Sequence, residues 1–308
     1  MPSPTVPPEL RVALGSRLTL ATPVMAASGG FGYGDEVCDL ADTAVLGALI
    51  TPTITMSPRA GNPMPRTAET SAGLLHSLGW PNPGLTCFLS ELLPRMQTLP
   101  CHVLVSIYGD TAEEWQSLTE ALDSAGGVSG LELNLSTASL NGEAVILRRI
   151  RDSVRTVRSV TRLPLIVKLP SANVEIGAAA SAAVEEGADV VAVSQGFLGV
   201  AVRLSSRKFR LPGVSGDLSG PCIKPLALYQ VWRVAESVAC PIVASGGIMT
   251  GEDALEFLVA GASAVAVGVA SSIHPTAIAR ITNEISAYLT HHNVPAVSDL
   301  VGVARCRG

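Results

Sequence analysis

The sequence predicts a (β/α)8 barrel, a TIM-type α/β fold forming a single domain over residues 1–308. Three observations carry that expectation. Eight short runs rich in β-branched residues recur along the chain, most are followed by a stretch of helical period, and glycine-rich turns close the last two. Strand and helix alternating eight times at this length suit a closed parallel barrel, with a doubly wound sheet as the second choice.

The strands are predicted in order. Pro23 to Ala27 and Gly47 to Thr51 come first, and then His102 to Ile107 leads into a helix over Thr111 to Ser124. Gly130 to Leu135 precedes a helix over Glu143 to Val160, and Pro164 to Leu169 precedes one over Val174 to Glu186. Asp189 to Ser194 reaches its helix, Pro225 to Val238, only after a long connection. Pro241 to Ser245 and Ser263 to Gly268 are followed by helices over Gly251 to Val259 and Thr276 to Thr290. Continuous apolar runs such as Val190-Val191-Ala192-Val193 fit strands buried on both faces. Two connections are long: Thr51 to Pro83 after the second strand, and Gln195 to Pro221 after the sixth. In a barrel both rise from the C-terminal face, where active sites lie and long loops commonly act as lids.

Composition narrows the function. Hydrophobic residues make up 47% and charged residues 15%, and the net charge is -5, so the chain has a large core and no basic surface for nucleic acid. No apolar run reaches the roughly 18 residues of a membrane span, and Met1 to Leu10 carries no signal-like core, which points to a cytoplasmic protein. Six cysteines (Cys38, Cys87, Cys101, Cys222, Cys240 and Cys306) lack metal-ligand spacing, so neither a metal nor a disulfide framework is expected.

The glycine turns indicate a phosphate-bearing ligand. Ser245-Gly246-Gly247-Ile248 precedes a helix opening at Thr250-Gly251-Glu252-Asp253, and Gly268-Val269-Ala270-Ser271-Ser272 follows the eighth strand. Glycines allow close backbone approach, and N–H groups at a helix start attract anions. Sugar phosphates, pyridoxal phosphate and flavin mononucleotide all use such a cradle. Lys168, at the end of the fifth strand, suits either a Schiff base or the stabilisation of a reduced flavin.

Several motifs then resemble one family. Ala27-Ser28-Gly29-Gly30-Phe31-Gly32-Tyr33-Gly34, Pro58-Arg59-Ala60-Gly61-Asn62-Pro63, Arg66-Thr67-Ala68-Glu69-Thr70 and Asn82-Pro83-Gly84 are similar to dihydroorotate dehydrogenases. So are Ser219-Gly220-Pro221-Cys222-Ile223-Lys224-Pro225 and the run from Ala260 to Gly268. The similarity extends from about Leu18 to the C-terminal helix and is nearest the class 1 B-type branch. That branch uses flavin mononucleotide (FMN) and pairs with an electron-transfer subunit carrying FAD and an iron–sulfur cluster.

The resemblance implies FMN contacts at Ser28, Ser106, Asn134, Lys168 and Ser194 on the strand ends. It implies further contacts at Gly220, Gly246, Gly247, Gly268 and Val269 in the turns. Ser106 stands where the family usually has asparagine. The substrate side departs further. The family's lysine after strand two aligns with Pro52, an asparagine with His76, and an Asn-Thr pair with Gln195-Gly196. Thr137, in Thr137-Ala138-Ser139, replaces the cysteine that takes a proton from dihydroorotate. An alcohol is far harder to deprotonate than a thiol with a pKa of about 8.5.

His76 is the one gained group able to exchange protons near neutral pH, alone or in a relay with Thr137; otherwise it is a loop histidine bonded to backbone. The substrate face is therefore expected at His76, Asn134, Gln195 and Gly196, with Thr137, Lys168 and His76 as the chemical groups. The resemblance implies a dihydroorotate-like substrate and a homodimer or hetero-oligomer. The partner is an active paralogue or the electron-transfer subunit. The chain is then an FMN-dependent oxidoreductase or a catalytically silent paralogue serving an active one.

Overall fold

The computed structural model describes residues 7–34, 43–135, 142–193 and 195–307. Eight parallel strands close into a barrel: β1 (Val24–Ala26), β2 (Ala48–Ile50), β3 (His102–Ile107), β4 (Gly130–Asn134), β5 (Leu165–Lys168), β6 (Val190–Val193), β7 (Ile242–Ser245) and β8 (Ala264–Val267). Each pairs with its neighbour in sequence, and β8 returns to β1 through Val265↔Val24. The runs were placed correctly, but most strands are shorter than predicted by a residue or two, because the ladder ends where the rim residues turn out to form loops.

Six long helices lie outside: α1 (Ala112–Ala125), α2 (Glu143–Val160), α3 (Ile176–Glu185), α4 (Lys224–Ser237), α5 (Gly251–Ala260) and α6 (Ala277–His291). Their faces follow the helical period. In α2, Ile146, Ile150, Val154 and Val157 are buried while Arg151, Arg155 and Arg158 reach Glu185, Glu186 and Asp189 across the surface. In α3, Ala179, Ala180, Ala182 and Ala183 are fully buried, and such small side chains bring the helix close to the sheet. The Thr250 hydroxyl accepts from the Asp253 N–H to cap α5, and Gly261 at φ 128° ends it.

Two features depart from the sequence expectation. The segment after Pro83 is helical from Gly84 to Met96, with a wide π-type turn over Phe88–Leu92. Pro94 has no N–H to donate, so the ladder widens just before it. The two long loops also do more than decorate. Thr67–Thr70 and Gly73–His76 from the first pair with Phe197–Val200 and Ser215–Ser219 from the second in a four-stranded antiparallel sheet. At the opposite end, the hairpin Val12–Ala13 with Thr19–Leu20 buries Leu14, Leu18 and Leu20 against the core.

Candidate active site

The C-terminal rim of the barrel is a continuous polar network. Asn134 on β4 and Lys168 on β5 are register partners, and Lys168 in turn neighbours Ala192 on β6. The Asn134 amide donates to Thr53 Oγ1 at 2.9 Å and accepts from Gln195 Nε2 at 2.8 Å. Thr53 shares a 3.1 Å hydrogen bond with Ser106, whose backbone N–H donates to Thr51 Oγ1 at 3.1 Å. Ser28 donates to the Thr51 carbonyl at 2.8 Å, and Ser171 to that of Gln195 at 2.7 Å. The threonines on either side of Pro52 thus tie the rim together.

Lys168 Nζ lies 3.9 Å from Oε1 of Glu132, a carboxylate only 1% exposed. That Glu132 oxygen has no hydrogen bond. A buried carboxylate oxygen without a hydrogen bond is costly, and the nearby Lys168 ammonium offsets part of that cost. Ala192, the register partner of Lys168 on β6, is a small and nearly buried side chain.

The glycine turns form the adjoining corner. Gly246 and Gly247 take φ 116° and 78°. A Cβ on Gly247 would lie 2.8 Å from the Lys224 backbone nitrogen, so glycine is required there for packing. Among the described residues, no protein acceptor meets the N–H groups of Gly246, Gly247, Val269 or Ala270. The Ser271 hydroxyl is likewise buried without a partner. A Cβ on Gly268 would touch only Ala27 Cβ at 3.7 Å, leaving its open side to a ligand.

The expected anion site at the start of α5 is not available. Asp253 Oδ2 accepts from the N–H groups of Met249 and Thr250, and Glu284 accepts from that of Gly251. Protein carboxylates already occupy that dipole, and the N–H groups without a protein acceptor are in the two turns. Gly220, at φ 94°, packs its Cα side against Gly73, where a Cβ would come within 2.9 Å.

The four-stranded sheet supplies the other wall. His76 and Asp217 are direct cross-strand partners, flanked in the same row by Thr67 and Leu198. Burial pushes the His76 imidazole below its usual range; Asp217 opposes this and Lys168 adds to it. Burial pushes the Asp217 carboxyl up, against the pull of His76 and Lys168. A cation on β5 and the pair on the sheet therefore share one electrostatic environment. Gly196 accommodates the pair, because a Cβ there would sit 2.5 Å from Asp217 Cβ.

Arg59 fastens the first loop to the rim. Its guanidinium lies over Trp80 and Tyr108 at 5.6 and 5.4 Å and pairs with Asp110 at 2.7 Å. A concavity of about 320 Å3 between Arg11, Leu46, Cys101 and His102 lies at the other mouth of the barrel, where residues serve packing rather than chemistry.

The expected residues Ser28, Ser106, Asn134, Lys168, Gln195, Gly246, Gly247, Gly268 and Val269 all fall at the C-terminal strand ends or the turns after them, with His76 and Gly196 in the covering wall. Thr137 and Ser194 lie outside the described residues, as does the segment that follows Leu135. Thr51, Thr53, Glu132, Asp217 and Ser271 were missed. Glu132 did carry a signal, being a lone charge between Leu131 and Leu133 in a buried strand. Asp217 carried none, since its neighbour His76 is brought to it only by the pairing of two loops.

The model of the dihydroorotate dehydrogenase family matches residues 13–289. Dihydroorotate dehydrogenase B (NAD(+)), catalytic subunit, from Geobacter sp. (strain M21) is 40% identical over 299 residues, 96% of this chain and 98% of that one. The protein of the same description from Desulforudis audaxviator is 39% identical over 295 residues, covering 94% and 96%. Among solved structures, DHODH from Eimeria tenella in complex with ferulenol superposes with a TM-score of 0.77 at 23% identity, covering 100% of this chain and 91% of that one. That likeness supports the barrel fold alone.

Proposed function

Because the chain belongs to the dihydroorotate dehydrogenase family, we propose that it is an oxidoreductase that holds FMN and oxidises dihydroorotate or a closely related ring. The single observation that carries this reading is the rim itself: N–H groups without a protein acceptor at two glycine turns, and a lysine at the end of the fifth strand, all lie at the C-terminal strand ends of one barrel. That donor set fits a phosphate at one end and an electron-rich planar ring at the other.

Bound flavin supplies the two-electron acceptor. Gly246, Gly247, Gly268 and Val269 are positioned to hold its phosphate, and Lys168 to face the edge of its ring. Asn134 and Gln195 offer an amide pair to the substrate. Ring oxidation also needs an acceptor for a carbon-bound proton, a role worth roughly 10²–10⁴ in rate. His76, whose neutral form is favoured by burial, is the described group suited to it, with Thr137 as a second candidate.

A second reading has its own support. The Asn134 amide is engaged by Thr53 and Gln195, and Pro52 stands where the family carries a lysine. A substrate face closed on itself suits a silent paralogue that partners an active subunit. Exposed Met64, Leu204 and Phe209 on the two long loops support an oligomer contact, with a second copy or with an electron-transfer subunit. A cytoplasmic location belongs to the same proposal.

The visible spectrum of the purified protein tests the first reading. A yellow protein bleached anaerobically by dihydroorotate is expected, and a colourless protein that takes up no FMN would exclude it. Yellow protein that dihydroorotate fails to bleach, but that activates an intact paralogue, would favour the second.

A further inference from the structure

We infer that Asp217 is the positioning residue of His76, and that the two act as one unit at the substrate wall. The inference rests on the functional reading above for its catalytic half and on geometry for the rest. His76 and Asp217 are register partners on adjacent antiparallel strands, so their side chains project from the same face of the sheet. Directly opposed Cβ atoms stand about 4.5–5.5 Å apart, within reach of a charge interaction.

The surroundings are built for that pair. The residue beyond His76 in the row is Thr67, which is uncharged, and the residue beyond Asp217 is Leu198. From the barrel the facing charge is Lys168, itself held by Glu132. Gln195 and Gly196, which run beneath, carry no charge, and Gly196 lacks the Cβ that would collide with Asp217.

The arrangement gives the imidazole two opposed neighbours. Burial and Lys168 favour the neutral ring, which can accept a proton, while Asp217 favours the imidazolium. In the step this serves, a ring C–H bond breaks, its proton goes to His76 and its electron pair forms the new ring double bond. A bound flavin would supply the two-electron acceptor for the hydride from the neighbouring carbon, so that electrons and protons balance. No thiolate is needed.

The test is a titration of the five histidine rings by NMR in the full-length protein, with wild type, Asp217→Asn and Asp217→Glu compared. The His76 pKa is expected to fall by about one unit in Asp217→Asn and to return most of the way in Asp217→Glu. In Lys168→Met it is expected to rise. The acid limb of kcat/KM should move to lower pH with Asp217→Asn, and kcat should fall while KM changes little. A His76 pKa that stays put in Asp217→Asn overturns the inference, as does an acid limb that does not follow it. A colourless, inactive protein would overturn the functional reading, yet the ring titration would still decide whether Asp217 governs His76.

Discussion

Adding one methyl group at Gly196 should expose how tightly the sheet over the rim is packed. The Cβ of Gly196→Ala would lie 2.5 Å from Asp217 Cβ, 3.2 Å from its Cα and 3.1 Å from the Leu218 carbonyl oxygen. All three atoms belong to, or sit directly on, a paired strand, so none can swing aside as the end of a long side chain could. The backbone of one strand must shift, and overpacking of this kind typically costs about 1–3 kcal/mol. For a domain of this size that corresponds to roughly 2–6 °C in Tm. Thermal and urea unfolding at matched flavin content would measure it. Asp217→Gly removes the opposing Cβ, so Gly196→Ala should cost less in that background. The double-mutant cycle should therefore give a coupling of about 1 kcal/mol, less than the full penalty because the 3.1 and 3.2 Å backbone contacts remain. A Gly196→Ala protein as stable as wild type, or one whose penalty is unchanged beside Asp217→Gly, would refute the packing relation between the two residues.

Three other outcomes are expected. Thr53→Val keeps the shape but removes the hydroxyl that partners fully buried Ser106; it should lower stability by about 1–3 kcal/mol, read as the urea midpoint. Gly268→Glu should abolish flavin absorbance while leaving the unfolding of the flavin-free protein unchanged, because the new Cβ meets nothing closer than 3.7 Å; equal loss of folding would show a structural rather than a ligand-facing glycine. Burial pushes the Cys101 and Cys240 thiols up from 9.0 to about 11, so both should alkylate slowly at pH 8. The unfolded thiols ionise first as pH rises, so the stability they contribute is full below pH 9 and is lost as pH climbs through 11. Unfolding curves at pH 8, 9.5 and 11 would detect it, and no extra loss at the alkaline end would contradict the assignment.

Much of the barrel was legible because its signals are local. Val190-Val191-Ala192-Val193 reads as a doubly buried strand without reference to any other segment, and the Ile146–Val157 spacing reads as a helix face. The residues proposed for flavin were legible for a related reason: most lie at a strand end or in the turn directly after it. The glycine turns were half legible. Gly246 and Gly268 announced the turns, but nothing near Gly251 disclosed that Glu284, from α6, would take its N–H. The wall residues were least legible. His76 was noticed as a substitution, while its partner Asp217 lies in a loop whose polar, glycine-rich sequence shows no strand period.

The sequence by itself determined the eightfold alternation, the family and the place of the glycine turns, since periodicity and glycine spacing are encoded over a few adjacent residues. Only the tertiary structure decided what stands over the rim. Thr67–Thr70, Gly73–His76, Phe197–Val200 and Ser215–Ser219 form a sheet because distant loops share backbone hydrogen bonds, and no local pattern specifies such a partner. That pairing sets His76 opposite Asp217 and makes Gly196 the space in which Asp217 fits.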